Sequence, residues 1–229
     1  MKEAEWLKSE FLYGIVSIPK CRDNRKRRLL FCAIARRSLK VLPEPDEFEQ
    51  GIEFCEKWAD GEFDRAKWTK LRRTLRKAQN SLDEQPARCS AEAVIAVTEK
   101  EYMSFKMAHE FSRNAFATQD RSNWDRLCNT EEKAHLEMAR DIFGNPFQPV
   151  TLESEVMAWK SGAVNQVADS IYEENRFNEL PVLGDALEEA GCTSKEVLKH
   201  CRSKRSHVKG CWVVDLVRQS AASTGTKTN

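Results

Sequence analysis

Leu180-Pro-Val-Leu-Gly-Asp-Ala-Leu-Glu-Glu-Ala-Gly-Cys-Thr-Ser-Lys-Glu-Val-Leu-Lys-His-Cys201 decides the fold class. Val182, Leu183, Ala186, Leu187 and Ala190 recur at the three-to-four spacing of one helix face. Pro181 suits a first helical turn, where its missing N–H costs nothing. Gly191 is placed to end the helix in the left-handed conformation. Thr193 and Glu196 have capping-box spacing and predict a second start. Val197, Leu198 and Cys201 then face inward. The stretch therefore reads as two helices joined by a short turn. Lys195, Lys199 and Arg202 give the second helix some basic character. It begins Ser-Lys-Glu, without the base-reading side chains of a DNA-recognition helix, so an ordinary αα-hairpin is preferred.

The same period runs outward in both directions, and strand-like alternation is nearly absent. A short helix is expected at Trp6–Tyr13, and another at 25–41 with Leu29, Leu30, Ala33 and Ile34 inside. Pro43 and Pro45 end it. Asp46 and Glu49 suggest a capping box for a helix that Gly61 stops. Asp64 caps the next, with Trp68, Leu71, Leu75 and Ala78 inside. One long helix is expected from about Pro86 to Phe116, with Ile95, Thr98, Tyr102, Phe105, His109, Ser112 and Phe116 on one face. Asn123–Phe143 forms another, broken by Gly144-Asn-Pro146. After it, Ser161 is the expected cap of a helix carrying Val164, Val167, Ala168, Ile171 and Tyr172. Cys211–Arg218 reads as a last helix, with a strand as the lesser alternative because of its valines. The expectation is an all-α fold: a multi-helix bundle over 1–145, a compact cluster of shorter helices over 146–219, and a frayed tail over 220–229.

With 229 residues, 41% hydrophobic and 32% charged, the composition is that of a globular chain that needs no staples. The N-terminus lacks the apolar run of a signal peptide, and Leu29–Ala35 is too short to span a bilayer. These features predict a soluble cytoplasmic protein with no membrane partner. The eight cysteines are scattered without a Cys-x-x-Cys pair, which suggests buried thiols in a reducing compartment.

The net charge of +1 is unevenly spread. Residues 20–77 carry seventeen basic and ten acidic side chains, or +7, and the rest of the chain carries −6. Basic helices can bind phosphate backbones, with Arg25, Arg28, Arg36, Arg72, Arg73 and Arg76 as candidate contacts. The competing reading is internal pairing, because the acidic stretch 44–64 lies between the two basic ones.

Three constellations bear on chemistry. His200, Cys201, His207 and Cys211 fall close together, with Cys192 nearby, and thiolate and imidazole are good zinc ligands. The spacing matches no usual zinc pattern, so no metal ligand or cofactor is assigned. The preferred reading is a core cysteine, a surface histidine and a loop histidine. Asp215, among Trp212, Val213, Val214, Leu216 and Val217, needs a donor if buried. His207, Lys209 or a backbone amide can supply one, which makes Asp215 the expected anchor of the polar loop 203–210. Glu132-Lys-Ala-His135 is half of a di-iron carboxylate motif. Lys106 stands where the second half needs a glutamate, so a solvated helix face is preferred.

Several words resemble those of a helical bacterial family found mainly in planctomycetes. They are Arg25–Arg37, Ala59-Asp-Gly61, Asp141-Ile-Phe-Gly-Asn-Pro-Phe147, Ile171-Tyr172, Leu180–Leu183, Asp185–Cys192 and His207-Val-Lys-Gly-Cys-Trp212 through Leu216. The likeness spans nearly the whole chain and is loosest between Phe63 and Glu137. It brings no activity, substrate or catalytic residue with it. Some members look like parts of larger signalling or repeat-containing proteins, which implies an interaction role. Cys201 stands where the family usually has leucine, which implies core volume. The family is also richer in Cys and Ala near position 35. The expected function is a non-catalytic protein-interaction or regulatory module, with His207, Cys211, Trp212 and Asp215 as its structural or functional cluster. Nucleic-acid binding and a metal- or thiol-dependent enzyme are the alternatives.

Overall fold

The computed structural model describes residues 1–99 and 102–224, with side chains except at 102–105 and 221–224. Among the described residues the fold is all-α, with thirteen α-helices and no strand. The chain divides into two compact units, Met1–Ala139 and Arg140–Asn229.

The first unit contains α1 (Glu3–Lys8), α2 (Leu12–Val16), α3 (Asn24–Ser38), α4 (Asp46–Ala59), α5 (Arg65–Asn80), α6 (Gln85–Val97), α7 (Tyr102–Ala117) and most of α8 (Trp124–Phe143). The expected single helix at Trp6–Tyr13 is two short ones. Asp23 caps α3 by accepting from Lys26 N at 2.8 Å. Every residue from Leu29 to Ala35 is buried. A helical stretch apolar on all sides belongs inside, and α3 packs against α4, α6 and α7. Asp64 caps α5 as expected, accepting from Ala66 N and Lys67 N. Asp46 is the first residue of α4 and makes no side-chain cap bond. Its carboxylate instead joins Glu47 and Glu49 in the first turn, where negative charge suits the helix dipole.

The helix expected across 86–116 is divided into α6 and α7. The carbonyls at the end of α6 are taken by side chains from elsewhere. Buried Arg28 donates to Val97 O at 3.0 Å, and Trp68 Nε1 to Thr98 O at 2.9 Å. Thr98 Oγ1 turns back to Ile95 O at 2.7 Å. A guanidinium at a helix C-terminus satisfies orphan carbonyls and suits the dipole. Of the face expected on this stretch, Ile95, Thr98, His109, Ser112 and Phe116 are buried. The side chains of Tyr102 and Phe105 lie outside the described residues.

The second unit holds the end of α8, then α9 (Ser154–Ala158), α10 (Ala163–Glu173), α11 (Leu180–Glu189), α12 (Lys195–Cys201) and α13 (Trp212–Thr224). Its core includes Val164, Ile171, Tyr172, Leu183, Leu187, Val197, Cys201, Val213, Val214 and Val217. Pro181 sits in the first turn of α11, and Gly191 has φ +93°. Two caps differ from expectation. Gly162, at φ +84°, occupies the N-cap of α10, because the chain enters through left-handed residues that include Ser161 itself. Ser194 rather than Thr193 caps α12, accepting from Val197 N. A Cβ on Gly184 would lie 2.8 Å from Cys201 Cβ, so α11 and α12 approach closely through glycine. The last segment is helical, and α13 takes in 220–224, which were expected to fray. Residues 225–229 lie outside the described residues. No helix among the described residues is long and apolar enough to cross a membrane.

Candidate functional site

The last turn of α8 carries Asp141 next to buried Ile142 and Phe143. Its carboxylate is 5% exposed and would be costly there without donors. It has three. His207 Nδ1 lies 2.5 Å from Oδ1, Val208 N donates to Oδ2 at 2.9 Å, and His200 Nε2 lies 3.1 Å from Oδ1. Burial pushes this carboxyl up, but hydrogen bonds from His200 and His207 outweigh it and hold it below the usual carboxylate range.

Two neighbours fix the protons. Trp212 Nε1 points at His200 Nδ1 from 3.0 Å. An indole N–H only donates, so Nδ1 accepts and Nε2 carries the proton. That Nε2–H faces both Asp141 and Cys211 Sγ, the latter at 3.2 Å. His207 donates from Nδ1 to Asp141, and its Nε2 meets Ser203 Oγ at 3.1 Å. Cys211 is fully buried. Burial, then the charge of Asp141, pushes its thiol well above the ordinary range. A Cys–His nucleophile needs an imidazole lone pair facing the sulfur. Here the lone pair of His200 sits on Nδ1 and is taken by the Trp212 N–H, so the imidazole has no place for the thiol proton and the pair is not arranged as an activated thiolate.

Asp141 Oδ, His200 Nε2, His207 Nδ1 and Cys211 Sγ all lie within 4.8 Å of one another. Of the residues expected to cluster, His207 and Cys211 are in this group. Trp212 borders it by its bond to His200, and its ring covers Gly144, where a Cβ would come within 2.9 Å. Asp215 is buried on α13, but the carboxylate that holds His207 and Val208 is Asp141. The loop anchoring expected of Asp215 thus falls at least in part to Asp141. His200, read as a surface histidine, is partly buried and makes three contacts within the cluster. Asp141 is the member of this group that the sequence does not single out. The available signal was a lone carboxylate between Ala139 and Ile142–Phe143. Cys192 and Cys201 pack in the core, and burial pushes the Cys201 thiol up to about 12. All eight cysteines are free.

The six candidate nucleic-acid contacts are mostly engaged inside the first unit. Arg25 pairs with Asp60 at 2.8 Å, and Arg36 with Glu49 and Glu56 at 2.7 and 3.0 Å. Arg72 bonds Glu99, and Arg76 reaches Glu92. Arg28 is buried with its guanidinium over the Trp58 ring. Arg73 is exposed on α5.

Glu132–His135 is not a solvated face. His135 is fully buried, and its Nδ1 lies 2.9 Å from His109 Nδ1. His109 Nε2 faces Glu132 at 3.2 Å, and Glu132 also accepts from Leu12 N and faces Arg113. Arg37 grips Glu131 with two bonds, at 2.6 and 3.0 Å. Since His109 Nε2 must donate to Glu132, its Nδ1 accepts from His135 Nδ1–H. His135 Nε2 is left as a buried lone pair with no hydrogen-bond partner, 3.9 Å from Glu131.

No family model, curated protein or solved structure matches this chain.

Proposed function

We propose that the chain is a non-catalytic helical module that binds another protein through its N-terminal helices. The observation that carries this reading is the exposure of Phe11, 71%, beside Leu7, 50%, at the junction of α1 and α2. The two lie four positions apart in the sequence, and large apolar side chains exposed to water favour contact with a partner. The partner is a protein presenting an apolar surface. The reading is further supported by the interior chemistry, since Cys211 is sealed and faces a donor rather than a base. It assigns the chain to the cytosol, where eight thiols stay reduced. The test is affinity capture with the purified chain and with a Leu7→Ser/Phe11→Ser variant. A partner captured by the first and lost by the second, at an unchanged melting temperature, supports the proposal. Equal capture by both, or turnover of a substrate by the purified protein, overturns it.

A second reading, nucleic-acid binding, narrows to the outer face of α5. Lys70, Arg73 and Lys77 are exposed there, and the helix contains no acidic residue. That reading requires affinity that falls steeply with salt and is lost in a Lys70/Arg73/Lys77 alanine variant. A gel shift at low salt that detects no complex removes it.

A further inference from the structure

We propose that Asp141, His200, His207 and Cys211 form a structural site for a zinc-type divalent metal ion. The four side chains offer one oxygen, two nitrogens and one sulfur, all within 4.8 Å of one another. Thiolate and imidazole together select zinc and its neighbours over magnesium or calcium. One carboxylate and one thiolate neutralise a doubly charged ion, so the loaded site carries no net charge into a buried setting. The donors come from three places: the end of α8, α12, and the loop that leads from α12 into α13. The end of α8, α12 and the loop before α13 would then be tied at one point. The Asp141 and Cys211 donors are buried and both imidazoles are largely covered, so a bound ion has no open face for substrate. A closed four-donor site is structural rather than catalytic.

The distances support the fit and say what must move. A tetrahedral zinc ion spaces its nitrogen, oxygen and sulfur ligands roughly 3.3–3.6 Å apart. His200 Nε2 already lies 3.1 Å from Asp141 and 3.2 Å from Cys211. The 2.5 Å contact of His207 with Asp141 must open. Binding replaces hydrogen-bond protons. His207 shifts its proton from Nδ1 to Nε2, where Ser203 Oγ, 3.1 Å away, accepts it as readily as it donated. His200 shifts its proton to Nδ1, and Cys211 releases its thiol proton to water. The second shift meets opposition, because Nδ1 faces the donor-only Trp212 indole at 3.0 Å. Trp212 therefore acts against the metal, and its ring must turn aside on binding.

The test is to strip the full chain with a chelator and titrate it with cobalt(II), then displace the cobalt with zinc(II). One cobalt per chain is expected, with a thiolate-to-cobalt charge-transfer band and the strong visible bands of four-coordinate cobalt. Cys211→Ser should abolish the charge-transfer band, and Cys201→Ser should keep it. Trp212→Phe should tighten binding by more than about tenfold, the scale of effects from groups around a metal ligand. Folding is followed by circular dichroism throughout. Should Cys211→Ser fail to fold, the wild-type titration and the Trp212→Phe and Cys201→Ser variants still decide. The proposal is overturned if folded wild-type protein takes up no stoichiometric cobalt, or if the band survives Cys211→Ser. It is equally overturned if Trp212→Phe only weakens binding.

Discussion

The two units bury similar side chains to different ends. In the first, Glu131 and Glu132 each meet an arginine, Arg37 and Arg113, and the His109–His135 pair lies between them. Positive charge is abundant, and one imidazole nitrogen has no partner. In the second, a single carboxylate, Asp141, serves two imidazoles and a backbone amide, and every ring nitrogen is engaged. The lesson is that burial alone does not make a binding site. Glu131 is held by a guanidinium and is unavailable to a cation. Asp141 meets two imidazole N–H groups and a backbone amide instead of a guanidinium, and an imidazole nitrogen can exchange its proton for a cation.

Removing the shared carboxylate should have the largest effect. Asp141→Ala leaves two imidazoles and Val208 N–H without their acceptor. A loss of about 3–5 kcal/mol is expected, read as the shift in denaturant midpoint. A loss under 1 kcal/mol would erase the contrast between the units. Next are the glycine contacts of the second unit. Gly184→Ala forces a Cβ to 2.8 Å from Cys201 Cβ, and Gly144→Ala adds a Cβ within 2.9 Å of the Trp212 ring at φ +59°. Each should cost roughly 1–3 kcal/mol by chemical denaturation.

The first unit should instead respond to acid. Burial first, with the nearby His109, Arg37 and Arg113 adding to it, holds His135 well below the ordinary imidazole value of 6.5. The unfolded chain then takes up a proton that the folded one refuses. Stability is full above that value and falls as pH drops below it, by up to about 1.4 kcal/mol per pH unit. Glu132 adds a second loss in more acid solution. Burial raises its carboxyl, but bonds from His109 and Leu12 N and the charge of Arg113 bring it below its ordinary value. Melting temperatures between pH 7.5 and 5.5 should fall for the wild type and stay flatter for His135→Gln. The smallest effect is expected at the surface. Arg25→Ala breaks one partly exposed ion pair and should change stability by about 0–1 kcal/mol.

Much of the helical layout was legible in the sequence. Asp64, Pro181 and Gly191 mark helix ends by local chemistry and lie where that chemistry requires. The split between α6 and α7 was not legible, because the groups that end α6 come from Arg28 and Trp68, distant in sequence. The caps at Gly162 and Ser194 escaped for a different reason. Neighbouring residues offered equivalent chemistry, and only backbone conformation chose between them. Within the candidate site, His207, Cys211 and Trp212 could be singled out by proximity along the chain. Asp141 could not, since nothing in its own segment reveals which donors it meets.

By itself the sequence determined that the chain is helical, where several helices end and which face of most turns inward, because hydrophobic spacing and caps act within a few residues. Only the tertiary structure decided which charges are buried and what answers them. Arg28, Glu131, His135 and Asp141 read as surface residues or pass unnoticed in the sequence, and all four are interior. The reason is physical: a buried charge or imidazole is set by partners brought close in space, and their identity is not written in the local period of the chain.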